Sequence, residues 1–187
     1  MSPNLNLINI NIINLPFFFN KILLSFSLKI IILSLCFFLY KGNQIDLVIK
    51  DKGLQSFLFS EFSSNPSQIL VNSISKNIIN QKFIELEESE TNVTLIFEER
   101  IRSCYQMFKG LSNITFINFS NFDFSLVSKM SEMFYECSSL KSIDFSNINT
   151  SSLTTMNRSF FGCSELISID LSNFNTSSVT NMDSMFY

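Results

Sequence analysis

The 187-residue chain contains no histidine and no tryptophan, and only four glycines and three prolines. Without an imidazole there is no Ser-His-Asp or Cys-His nucleophile, no histidine general base and no histidine-ligated zinc. The glycines, Gly42, Gly53, Gly110 and Gly162, stand too far apart to write a P-loop or a G-x-G-x-x-G dinucleotide loop. No C-x-x-C pair occurs among the four cysteines, which removes the usual structural-zinc spacing. Charged side chains make up 16% and the net charge is −3, so no basic face meets a phosphate backbone and no nucleic-acid partner is expected. What is plentiful is apolar: 46% of residues are hydrophobic and 22 are Phe. That is enough for a core, and too little charge for a solvated, disordered chain.

Residues 1–21 alternate Asn with Leu or Ile and read as a low-complexity leader. Residues 22–40 carry a single charge, Lys29, and no polar stripe. As a helix this run spans about 28 Å, close to the thickness of a bilayer core, so it is expected to enter a membrane. Lys21 supplies a positive flank, and Ser34 and Cys36 are small residues suited to cleavage before Phe37. A signal peptide and an uncleaved transmembrane helix both fit.

Residues 43–103 read as a small β-rich module. The segments 45–49, 68–72 and 92–97 are β-branched and alternating, hence strands, and Pro66 sits in a Ser/Asn-rich loop between the first two. Glu85, Glu87, Glu88 and Glu90 crowd one stretch, as in a solvated turn. Glu98, Glu99, Arg100 and Arg102 read as surface ion pairing.

From Cys104 onward the chain repeats with a period of 26 residues. Met107-Phe108, Met133-Phe134, Ser159-Phe160 and Met185-Phe186 form one double column. Further apolar columns hold Ile114, Leu140 and Leu166; Ile117, Ile143 and Ile169; Phe119, Phe145 and Leu171; and Phe122, Ile148 and Phe174. Val127, Leu153 and Val179 follow, then Met130, Met156 and Met182. A fixed period of this length means stacked units that bury their apolar faces against neighbours. Ile169 and Leu171 are two apart, as on one face of a strand, whereas Val179, Met182, Met185 and Phe186 fit one face of a helical or 3₁₀ return. The expected fold is therefore a leucine-rich-repeat-like solenoid of short strand plus return, preceded by the β module and a hydrophobic N-terminal helix.

The unit running from Met133-Phe134 through Cys137, Leu140, Ile143-Asp144-Phe145-Ser146 and Thr150-Ser151 to Met156 resembles that of BspA-type leucine-rich-repeat surface proteins, over residues 104–187. Residues 44–103 are similar to the segment preceding such repeats in some surface proteins of unicellular eukaryotes. The resemblance implies a right-handed solenoid, secreted or membrane-anchored, used in adhesion or protein binding, with no enzymatic activity, cofactor or metal. Leu111 in place of the repeat Cys, Cys104 in a Met column and Phe124 in place of Thr mark the first unit as a divergent, cap-like repeat. About three units are covered. The sequence stops at Tyr187 in mid-unit, which fits a fragment of a longer receptor-like array with only a structural role as the second reading.

Cys137 and Cys163 share a column, as a disulfide or as a ladder of free thiols packed like small hydrophobes. Six Asn-x-Ser/Thr sequons offer candidate glycosylation sites: Asn92, Asn113, Asn118, Asn149, Asn157 and Asn175. The outward strand positions Asn118, Asp144 and Asp170, with Lys141, Ser142 and Ser168 beside them, form either a ligand-facing row or an ordinary solvated face. Only two of the three are acidic and no calcium-loop pattern is present, so no metal set is expected. The expected function is a non-enzymatic, cell-surface or secreted repeat protein that binds a protein or cell-surface ligand and meets the membrane through residues 22–40.

Overall fold

The computed structural model describes residues 43–76 and 82–187. The leader at 1–21 and the hydrophobic segment at 22–40 lie outside the described residues. Among the described residues eight strands follow in order: β1 (Asn43–Ile49), β2 (Gly53–Ser56), β3 (Gln68–Val71), β4 (Ile74–Lys76), β5 (Phe83–Leu86), β6 (Thr91–Phe97), β7 (Ile114–Asn118) and β8 (Ser142–Asp144). β1, β3 and β6 occupy the three segments read as strands from alternation. In β1, Ile45, Leu47 and Ile49 are buried while Gln44, Asp46 and Val48 lie on the half-exposed side.

Six strands form one sheet in the order β4-β3-β6-β1-β7-β8, and β2 and β5 form a second, two-stranded sheet. β1 is central and antiparallel to both β6 and β7, and β8 joins parallel to β7. The sheet is thus continuous from the N-terminal strands into the repeats. A bulge between Val48 and Ile49 adjusts the β1–β7 register.

The described residues correct the expected solenoid with helical returns. They contain no helix at all and form a mixed β-sheet fold. No helix among them is long and apolar enough to cross a membrane, so the hydrophobic transmembrane helix has no counterpart there. Ile169 and Leu171 lie in no strand. The reason the return is not helical is visible in its hydrogen bonds. The N–H groups of Met133, Tyr135 and Cys137 bond three residues back, as turns do, whereas those of Glu132, Phe134 and Glu136 bond the carbonyls of Asn157, Ser159 and Phe161. An α-helix would need every N–H for its own fourth-preceding carbonyl. Left-handed residues mark the break: Gln106, Glu132, Arg158 and Ser184 at φ 51–57°, and Gly110, Glu136 and Gly162 at φ 57–72°. A run of turns places apolar side chains at i, i+3, i+6 and i+7 as a helix does, and that coincidence misled the periodicity.

The 26-residue period survives as register. Ser103, Lys129, Thr155 and Asn181 are linked by parallel bridges. Phe108, Phe134, Phe160 and Phe186 stack face to face at 5.8, 5.3 and 5.2 Å. Gly162 is tight as well as left-handed: an added Cβ would stand 3.3 Å from the Glu136 Cα. Gly162→Ala is expected to cost about 1–2 kcal/mol, the penalty for an L-residue in the left-handed region, read as a shift of the urea midpoint at constant slope.

Candidate functional site

The outward side of the sheet is organised in ranks, because antiparallel register sets side chains of successive strands opposite one another. One rank runs Leu70, Thr94, Asp46, Asn118, Asp144 across β3, β6, β1, β7 and β8. The next runs Asn92, Val48, Phe116, Ser142. Asp46 is fixed at its centre: its Oδ1 accepts from Thr94 Oγ1 at 2.6 Å and from Gln44 Nε2 at 2.9 Å. Asn118 and Asp144, read from the repeat as ligand-facing, lie in this rank and are half-buried. Asp170 is exposed and belongs to no strand. Asp46 was not legible as part of the row. Alternation put it outward on its strand, but nothing in the sequence said that β1 would pair with β7.

These three repeat positions also shape the backbone. Asn118, Asp144 and Asp170 each accept through Oδ1 the N–H two residues on, from Ser120, Ser146 and Ser172, at 2.7, 2.8 and 2.8 Å. Such Asx turns end the strand segment and hold the side chain in one orientation. The Ser172 hydroxyl and N–H hold the Asp170 carboxyl below its usual range. A second column does the same one turn later, where Asp123, Asn149 and Asn175 accept from Ser125, Ser151 and Ser177. Among the described residues no group of three or more acidic or thiol side chains is placed to hold a metal ion.

The remaining predicted residues fall as follows. Leu140, Phe145, Ile148, Leu153 and Met156 are buried. Ile143, Leu166, Ile169, Leu171, Phe174 and Val179 are partly buried against the same core, and Met182 is exposed. Cys137 and Cys163 are free thiols. Their Sγ atoms donate to the carbonyls of Phe108 and Phe134 in the preceding unit at 3.0 and 3.1 Å. Burial raises both thiol pKa values, that of Cys163 to about 11. They are structural donors, not nucleophiles. Of the sequons, Asn92, Asn149 and Asn175 are exposed, Asn118 and Asn157 half-buried, and Asn113 buried.

Sequence reasoning also passed over a charged contact between units. Glu132 Oε2 accepts from Lys109 Nζ at 2.7 Å and from Gln106 Nε2 at 2.9 Å, and the Lys109 ammonium lies 5.0 Å from the Tyr135 ring centre. The bond to Lys109 holds the Glu132 carboxyl below its ordinary 4.5, and the same bond raises Lys109 above 10.5. The carboxyl's contribution is present above the unfolded value and is lost as pH falls through the folded one. The ammonium's is present below 10.5 and is lost as pH rises through the raised value. Glu132→Gln is therefore expected to cost about 1 kcal/mol at neutral pH. Urea titrations of both proteins should converge at acid pH, and a difference that persists there would deny the charge its role.

Residues 102–187 match the family described as "Mycoplasma protein of unknown function, DUF285". The match covers the repeats and less than half of the chain. No curated protein and no solved structure matches the chain.

Proposed function

We propose that the chain is a non-enzymatic protein of the cell surface, or secreted, that binds a protein or cell-surface ligand through the outward side of its main sheet. The observation that carries this reading is the rank Leu70, Thr94, Asp46, Asn118, Asp144, laid across five strands from both halves of the described chain. A binding surface benefits from side chains fixed before the partner arrives, since fewer rotamers are then lost on association. Here Asp46, Asn118 and Asp144 are each held by hydrogen bonds. The resemblance of the repeat to BspA-type surface proteins supports the same location and role, by analogy.

The test uses the full chain expressed in a eukaryotic cell with a secretory pathway. A membrane-impermeant amine reagent applied to intact cells is expected to label it, or to find it in the medium. Cells displaying it are then plated on immobilised extracellular-matrix glycoproteins. Asp46→Asn with Asp144→Asn keeps each Oδ1 acceptor while removing both charges, and is expected to reduce attachment, with Lys129→Gln as the unaffected control. A chain that stays unlabelled and inside the cell, or attachment indifferent to the double variant, would sink the proposal.

A further inference from the structure

The six sequons are equivalent as sequence, but the fold separates them, and the separation rests on the surface or secreted location proposed above. The atom that matters is the side-chain amide nitrogen. In N-glycosylation Nδ2 forms a bond to the anomeric carbon of an oligosaccharide carried on a lipid pyrophosphate. The bond from that carbon to the pyrophosphate oxygen breaks, and Nδ2 loses a proton. A folded protein then has to keep the substituted nitrogen in solvent, because the glycan is bulky and strongly hydrated.

Asn113 cannot do so. It is buried, and its Nδ2 donates to Gln55 Oε1 at 3.1 Å and to the Ser56 carbonyl at 2.8 Å. A glycan on that nitrogen would remove one donor hydrogen and push β2 away from the repeats. Asn118 is half-buried in β7, between β1 and β8. Asn157 is half-buried too, and its Oδ1 accepts from Thr155 Oγ1 at 2.9 Å. Asn149 and Asn175 are different. Each is held through Oδ1, by the N–H of Ser151 at 3.2 Å and of Ser177 at 3.1 Å, as Asn118 and Asn157 are held through theirs, but unlike those two it is exposed. That leaves the amide nitrogen turned to solvent. Asn92 is exposed on β6, where its side chain stands on the outward face of the sheet.

We infer that Asn92, Asn149 and Asn175 carry N-glycans in the folded, exported protein, and that Asn113, Asn118 and Asn157 do not. Asn149 and Asn175 belong to one column of adjacent units, so their glycans stand side by side along one edge.

The full chain is expressed in a eukaryotic secretory pathway, and its mobility is compared during stepwise enzymatic deglycosylation. Three steps are expected. Asn92→Gln, Ser151→Ala and Ser177→Ala each remove one. Thr115→Val, which cancels the Asn113 sequon without touching its amide, removes none, and Ser120→Ala and Asn157→Gln likewise remove none. The enzyme that releases the glycan converts each occupied Asn to Asp, so peptide masses from the unsubstituted chain give the same answer even where a variant fails to fold. A glycan on Asn113 in soluble, folded protein overturns the inference. So do unmodified Asn92, Asn149 and Asn175 in a chain that the surface reagent labels, a result that leaves the location standing. A chain neither modified nor labelled overturns both.

Discussion

Phe119→Ala is expected to remove about 3–5 kcal/mol of folding stability, the range for deleting a fully buried aromatic ring. Phe119 is 1% exposed and its ring meets five others. It stacks on Phe145 at 5.3 Å and meets Phe124 edge to face at 5.2 Å. Contacts to Phe122, Phe108 and Phe134 follow at 5.7, 6.2 and 6.1 Å. These rings come from the return and the turn of one unit and from the return and the strand end of the next, and all five are buried. Two-state urea unfolding measures the loss, with Ile167→Ala as a control because that side chain is almost fully exposed. A loss below about 1 kcal/mol would mean that the surrounding rings repack, and the aromatic cluster would then not be the centre of the core.

The second large effect is expected at Asn113→Asp. The change is isosteric but replaces an amide that donates to Gln55 and to the Ser56 carbonyl by a group that can only accept when ionised. A buried acceptor facing two acceptors costs about 1–3 kcal/mol, and more with charge. The expected loss at neutral pH is about 3 kcal/mol on that ground. Its sign with pH is set by burial, which raises a carboxyl pKa. The unfolded chain holds an ionised carboxylate over a window where the folded chain prefers the acid. Stability of the variant should therefore recover relative to the parent as pH falls, because the protonated carboxyl regains a donor. Urea midpoints of both proteins across the acidic range decide it. A loss independent of pH would assign the effect to packing alone.

Much of the molecule was readable as one-dimensional pattern. β1, β3 and β6 follow from the alternation of residues such as Ile45, Leu47 and Ile49, and the units follow from columns such as Phe108, Phe134 and Phe160. Three things were not readable. Turn runs and helices share the spacing of Val179, Met182 and Met185, and only the left-handed φ of residues such as Glu132 separates them. Glu is a poor left-handed residue, so its conformation there is imposed by the interlocking of units and leaves no local mark. Pairing between β1 and β7 joins residues about seventy positions apart, which periodicity does not address, so Asp46 could not be set beside Asn118. The candidate ligand row followed from its outward place in the alternation of each unit, while its second role as Asx-turn acceptor came to light only from the bonds to Ser120, Ser146 and Ser172.

The alternation of hydrogen bonds in the return segments bears on how such a chain tolerates changes of length. Every second N–H reaches a carbonyl twenty-five residues ahead, at Cys104, Gln106, Phe108 and Gly110 and again at Met130, Glu132, Phe134 and Glu136. Inserting or deleting one residue in a return would put every later N–H of that unit out of register with its carbonyl in the next. Adding or removing a whole unit leaves every partner type in place. Length is thus a counting variable: for the repeats, gain and loss by unequal recombination come in whole copies, and the smallest change the fold passes unnoticed is one copy.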